Sequence, residues 1–359
     1  ALNHRQPDRV PMDLGGTIDS SIVVEGYARL KKHFGIQADD TLTSRMMRVV
    51  DVDERILRAL DIDTRGVFPP NQPDVFLPGD RYRDEWGVER VRPEGSFYYD
   101  QVHFPLAGEI TVQDIARYPR PDPHDPVRLR GVRERLAFIR RETDCAAVLN
   151  LPSAFVHRSQ YLRGFEDWFA DFASDRRLLG ALFDAILETN LAICEVILRE
   201  VGSEVDILLA SDDLGMQNGL MIAPQAYREM IKPRHKRYFQ LLHDLSPAKL
   251  LFHSCGSLID IMDDLVEIGV DVLHPVQVAA RGMDPVTLKA RWGNKLSFWG
   301  GVDTQRILPH GTVEEVRAET RRRIDQFGQG GGYVLGAVHN IQPDVPVANI
   351  LAMYDEGKR

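Results

Sequence analysis

His253 and Cys255 are the two residues whose types and spacing point most directly to chemistry. They close the stretch Lys249 to Gly256, which reads Lys-Leu-Leu-Phe-His-Ser-Cys-Gly. A short apolar run leading into His-x-Cys and a glycine is how a buried parallel strand ends at a pocket. Residues two apart on a strand point to the same side, so the imidazole and the thiol can share one target. A soft thiolate beside an imidazole suits zinc better than magnesium or calcium. The pair also suits ordinary packing, because Cys is among the most buried residue types. A zinc site needs at least three protein ligands, so a third donor has to come from elsewhere in the chain.

The surrounding elements must hold that pair in place. After it, Ser257-x-x-Asp260 followed by Ile261, Met262 and Leu265 predicts a capped helix. Short apolar strands are expected at Val10 to Leu14, Gly66 to Phe68, Ala146 to Leu151, Val205 to Ala210, Lys249 to Ser254, Val270 to Leu273, Leu296 to Trp299 and Tyr333 to Leu335. Helical patterns follow them, among them Val127 to Glu142, Gly164 to Phe172, the long Arg176 to Val201, and Pro224 to Leu245. The last carries Pro233 in its interior, which predicts a kink. Gly15-Gly16 is not the Gly-x-Gly-x-x-Gly fingerprint of an open dinucleotide-binding sheet. The pattern predicts an α/β fold, a (β/α)8 TIM barrel forming one domain over 1–359, with a β-hairpin inserted at about residues 74–107.

Barrel chemistry sits at the C-terminal ends of the strands. The polar residues expected there are Asp13, Asp212, Asp213, Gln217, His253, Cys255, His274, Gln277, Asp303 and His339. Asp13 and Asp303 serve equally well as caps of the next helix. Adjacent acids such as Asp212 and Asp213 repel each other unless a cation or donor is near. His339 is the candidate third ligand, distant in sequence but on the same rim of a barrel.

Composition narrows the function classes. With a net charge of −9, 43% hydrophobic and 27% charged residues, the 359-residue chain has no basic field for nucleic acid or an anionic membrane. No apolar run reaches the roughly 18 residues of a spanning helix. The three cysteines, Cys145, Cys194 and Cys255, make no disulfide framework and predict a reducing cytoplasmic setting. The opening residues lack a methionine start and read as a helix tail entering a loop, which predicts further residues upstream. A monomer or homodimer is expected.

Several stretches together resemble the uroporphyrinogen decarboxylase superfamily over nearly the full length. They are Arg9-Val10-Pro11, Asp212-Asp213-Leu214-Gly215, Lys232-Pro233-Arg234-His235, His253-Ser254-Cys255-Gly256, Gly300-Gly301-Val302-Asp303 and His339-Asn340-Ile341-Gln342-Pro343-Asp344-Val345-Pro346. The resemblance implies a (β/α)8 barrel. The true decarboxylases carry an arginine-rich N-terminal segment that grips the tetrapyrrole's carboxylates, whereas the corresponding stretch here, Met12-Asp13-Leu14-Gly15-Gly16-Thr17, has no arginine. The corrinoid-dependent methyltransferase branch has a zinc site of His-x-Cys plus a distant Cys. His253 and Cys255 match that pair, and His339 stands near the missing Cys.

This likeness implies Zn²⁺ on His253, Cys255 and His339, and a corrinoid (cobalamin) carried by a separate partner protein. It implies Asp212, Asp213 and His339 in catalysis, and Asp13, Gln217, His274, Gln277 and Asp303 around the substrate. The activity expected is methyl transfer between the corrinoid protein and a small thiol or methyl ether. The alternatives are a decarboxylase-like lyase on a small carboxylic acid, and a non-catalytic binding protein with zinc as a clamp. Acids at Asp13, Asp212, Asp213 and Asp303, with no arginine on the first strand, predict that a polyanionic tetrapyrrole is excluded.

Overall fold

The computed structural model describes residues 1–359. Seven parallel strands form one curled sheet: β1 (Thr64–Val67), β2 (Ala146–Asn150), β3 (Ile207–Ser211), β4 (Lys249–His253), β5 (Val272–His274), β6 (Ser297–Val302) and β7 (Tyr333–Ala337). They lie side by side in chain order with helices between them, as right-handed β–helix–β units require. The expected first strand, Val10 to Leu14, is reduced to a single parallel bridge, Met12 to Leu335. Pro11 has no N–H to give a ladder, and the Met12 N–H is taken by the Asp63 side chain. The segment still closes the barrel. Asp13 N–H donates to the Leu335 carbonyl, Leu335 N–H to the Pro11 carbonyl, and Asp63 N–H to the Met12 carbonyl.

Strand periodicity sorts the side chains. Val148, Ile207, Leu209, Leu251, Val272, Trp299 and Val334 form a cluster inside the barrel. Their neighbours, such as Leu208, Leu250, Phe252, Leu273 and Phe298, belong to the larger core under the helices. Each such buried side chain stabilises the fold by about 1.5–3 kcal/mol. Continuing β4 outward from Leu251 by steps of two gives His253 and then Cys255, which places both on the mouth side.

Several helices depart from expectation. A helix that was not expected, α1 (Val156–Arg163), precedes the expected one, α2 (Phe165–Ser174), with Gly164 at φ +81° between them. Gly131, at φ +75°, likewise splits the stretch 127–142 into a 3-10 turn and a helix. The long helix α3 (Arg176–Val201) is as expected. Before Pro233 the chain forms a π turn at Tyr227–Ile231 and then α4 (Lys232–Leu245), because proline cannot continue the ladder of the preceding turn. Ser257 does not cap a helix; its hydroxyl donates to the Arg281 carbonyl instead.

The insertion is larger than a hairpin. It is a four-stranded antiparallel sheet of Val75–Leu77, Arg81–Arg83, Glu89–Val91 and Asp100–His103. Its alternation buries Tyr82 opposite Arg90 while Arg81 and Arg83 face outward. No helix is long and apolar enough to cross a membrane.

Candidate metal centre

At the barrel mouth one donor atom each from His253, Cys255 and His339 lies within 4.8 Å of the others. Cys255 Sγ is 3.7 Å from His253 Nε2. Two ligands on a tetrahedral zinc, at Zn–S and Zn–N bond lengths, stand about 3.6 Å apart. The donor set therefore fits zinc in type and number, and the Cys255–His253 pair fits it in spacing; three protein ligands would leave a fourth position for a substrate atom.

The protonation states suit such an ion. Burial lowers the His253 imidazole to about 4 and lowers His339 as well, so both rings are neutral near pH 7. Burial, reinforced by the Asp213 and Asp19 charges, raises the Cys255 thiol well above its usual value. A metal ion would displace that thiol proton. Behind His253, His274 is fully buried, and its Nδ1 lies 2.7 Å from His253 Nδ1. This contact comes from register, since His253 and His274 are partners across β4 and β5. His274 braces the site from behind and lines neither cavity.

The paired acids have different roles. Asp212 is fully buried: Oδ2 accepts from the Phe155 and Val156 N–H groups, Oδ1 from that of His157, and His235 Nε2 lies 3.0 Å from Oδ2. It holds the start of α1 and lines neither the large cavity nor the small one beside Cys255, so the expected catalytic placement is not what the structure shows. Asp213 faces the site. Its Oδ1 accepts from the Cys255 N–H at 2.7 Å and lies 3.7 Å from His253 Nε2, while its Oδ2 is 3.1 Å from His157 Nε2. Burial alone would raise the Asp213 carboxyl, but the His157 charge and hydrogen bond hold it well below the usual carboxylate range. Burial opposes charge on His157, yet Tyr161 and Asp213 outweigh it and push the imidazolium up to about 10.

Asp13 and Asp303 hold the turns that follow them rather than capping a helix. Asp13 accepts from the Gly16 N–H, the Thr64 hydroxyl and Trp299 Nε1, and it is fully buried away from both cavities. Asp303 accepts from the Gln305 and Arg306 N–H groups, although it also borders a small cavity of about 170 Å³ beside Cys255. Gln277 takes the Gly256 N–H and donates to Gln217, whose amide donates to the Ala279 carbonyl. The two glutamines brace the loop that carries Cys255.

Sequence reasoning missed Asp19 and His157. Asp19 is buried, lies 3.6 Å from His253 Nδ1, and leaves Oδ2 without a hydrogen bond. Burial pushes its carboxyl up to about 6, against the pull of His339. It sits in the turn after the first strand, where no spacing marks it. His157 lies on α1, whose buried face includes Ser159, Gln160 and Arg163 and so shows no apolar period.

A cavity of about 960 Å³ opens from His253, His339, Asp19 and Asp213 toward the insertion. Its lining includes Arg45, Arg90, Arg128, Arg130, Arg135 and Arg158 alongside Asp19, Asp51, Asp74, Asp84, Glu85 and Asp213. The expected all-acid mouth is therefore corrected. Two of the four acids are enclosed by backbone and side-chain donors, and guanidinium groups arrive from the insertion (Arg90), from α1 (Arg158) and from other segments, none of them from the first strand.

The uroporphyrinogen decarboxylase (URO-D) family model matches residues 101–359. A uroporphyrinogen decarboxylase of Thioalkalivibrio sulfidiphilus is 23% identical over 85% of this chain and 97% of its own length. One from Pseudoalteromonas translucida is 35% identical over 20% of this chain and 22% of its own length. A methylated-thiol–coenzyme M methyltransferase of Methanosarcina mazei is 27% identical over 37% of this chain and 32% of its own length. The chain thus spans only about a fifth to a third of the last two relatives. A solved methyltransferase from Methanosarcina mazei shares the fold, with a TM-score of 0.67 at 16% identity over 99% of this chain and 96% of that one. With its barrel, insertion and strand-end site, the chain belongs to the uroporphyrinogen decarboxylase family.

Proposed function

We propose that this protein is a zinc-dependent methyltransferase that moves a methyl group between a corrinoid protein and a thiol or methyl ether. The observation that carries the reading is the convergence of donor atoms from His253, Cys255 and His339 within 4.8 Å of one another, with both histidines on the wall of a substrate-sized cavity. When bound, zinc supplies Lewis acidity toward a thiol sulfur or an ether oxygen. The chain's own groups do the remainder. His274 fixes the ring of His253, and Asp213 ties the Cys255 backbone to His157. Asp19, with its carboxyl near 6, is placed to hold or release a proton beside His339. In the ether direction the carbon–oxygen bond breaks with its electron pair kept by oxygen. The methyl group goes, as a cation equivalent, to the electron pair of the reduced corrinoid, and the oxygen takes up a proton.

A decarboxylase-like lyase is the second reading, favoured by the near-full-length decarboxylase relative and by the buried Asp19 carboxyl 3.6 Å from His253 Nδ1. Metal content, followed by the visible spectrum of a cobalt-substituted protein titrated with a thiol or an ether, separates the two. Bound metal with spectral change, and methyl transfer only when a corrinoid protein is added, supports the methyltransferase. Decarboxylation of uroporphyrinogen III by metal-free protein overturns it.

A further inference from the structure

Where the insertion meets α1, the wall of the large cavity carries a local excess of positive charge, because two guanidiniums share one carboxylate. Arg45 pairs with Asp74 and Arg128 with Glu85, one to one. Arg90 and Arg158 share one acid: their Nη1 atoms donate to the same Asp84 oxygen at 2.7 and 2.8 Å. The other Asp84 oxygen accepts from the Trp86 and Val88 N–H groups of a turn that Gly87 closes at φ +79°. A guanidinium has five N–H donors and stays charged throughout the accessible pH range. Arg90 and Arg158 use one donor each. Arg90 is only 2% exposed, and its Nε has no partner at all.

Aromatic rings connect this pair to the donor triad. The Tyr161 ring centre lies 5.2 Å from the Arg90 guanidinium carbon and 5.9 Å from that of Arg158, which is itself 5.4 Å from Trp86. On its other side Tyr161 stacks on His157 at 5.8 Å, and His157 leads through Asp213 to His253. The wall therefore runs without a break from surplus guanidinium charge, along aromatic surface, to the metal donors. A cavity of about 960 Å³ is the size that encloses a ring-bearing molecule rather than a one- or two-carbon one.

We propose that Arg90 and Arg158 form a carboxylate subsite, and that the substrate is an aromatic carboxylate whose methyl ether oxygen reaches the His253–Cys255–His339 donors. Paired guanidiniums match the planar fork of a carboxylate. The substrate assignment rests on the methyltransferase reading above, whereas the subsite does not require it.

Calorimetric titration of zinc-loaded protein without any corrinoid protein tests binding apart from methyl transfer. The probes are 4-methoxybenzoate, its neutral counterpart methoxybenzene, and uroporphyrinogen III. The expected result is at least tenfold tighter binding of 4-methoxybenzoate than of methoxybenzene. Arg158→Gln should remove most of that preference without weakening methoxybenzene, and Arg158→Lys should restore part of it. Equal binding of the two ethers by the unaltered protein overturns the subsite, whether or not the variants fold. Tighter binding of uroporphyrinogen III than of 4-methoxybenzoate overturns the substrate class. Carboxylate preference without subsequent methyl transfer leaves the subsite standing and counts against the methyltransferase alone.

Discussion

His253 and His274 face each other through their Nδ1 atoms at 2.7 Å, so only one of the two nitrogens can carry the proton. For His253 Nε2 to offer a lone pair to zinc, its own proton must sit on Nδ1 and be donated to His274. His274 is then protonated at Nε2, an atom buried without a partner. Replacing His274 with Phe removes the acceptor, and zinc affinity is expected to fall about 10–100-fold. His274→Asn, which keeps an acceptor, should recover part of the loss. Competition against a chromophoric chelator measures both, and unchanged affinity in the Phe variant would remove His274 from the site.

Cys255→Ser should lose most bound zinc while keeping the fold, because mouth residues serve chemistry rather than packing. Metal analysis and thermal unfolding check the two halves separately. If chelation unfolds the unaltered protein, zinc is a folding clamp.

Zinc loading should release about one proton per chain at pH 7. The raised thiol of Cys255 is the group that must lose it, while His253, lowered to about 4, and the lowered His339 are already neutral. Apparent affinity should therefore climb with pH by about tenfold per unit below the thiol's own titration. Proton release in a weakly buffered solution gives the count, and two or more protons would show that the imidazoles start charged.

Asp212 and Asp213 should respond unequally to loss of charge. Asp212→Asn turns an amide N–H toward backbone donors in a fully buried cradle, and should destabilise the protein by about 3–5 kcal/mol. Asp213→Asn should cost about 1–3 kcal/mol, with the fold retained and His157 released from its charged state. Denaturant unfolding ranks them, and a larger loss for Asp213 would reverse the roles.

The His157–Asp213 pair also sets a pH window. His157 is raised from 6.5 to about 10, so its contribution is complete below pH 6.5 and is lost as pH climbs through 10. Asp213 is lowered, so its contribution is present above pH 3.8 and is lost as acid protonates it. The stability difference between the unaltered protein and Asp213→Asn should be widest between about pH 4 and 6.5.

The barrel and the donor triad were legible because apolar runs ending in polar residues repeat along the chain, and a barrel gathers such ends onto one rim. Roles within the rim were less legible. Asp212 and Asp213 are identical in sequence terms, and only the position of α1 gives one to backbone N–H groups and the other to the cavity. α1 itself was missed because its buried face is partly polar. The paired arginines of the large cavity were missed because Arg158 lies on that helix and Arg90 in the insertion, where strand alternation reveals that Tyr82 and Arg90 share a face but not what that face encloses.

The barrel closes through a single bridge at Met12, flanked by Pro11 and Asp13, between β7 and β1. His339 lies two residues beyond β7, next to that weak seam, whereas His253 ends the middle strand of the sheet. An ion held by both would act as a rivet between the centre of the barrel and its joint. Occupancy of the site then becomes a mechanical property of the whole ring, legible in how slowly the amides of Asp13 and Leu335 exchange with solvent.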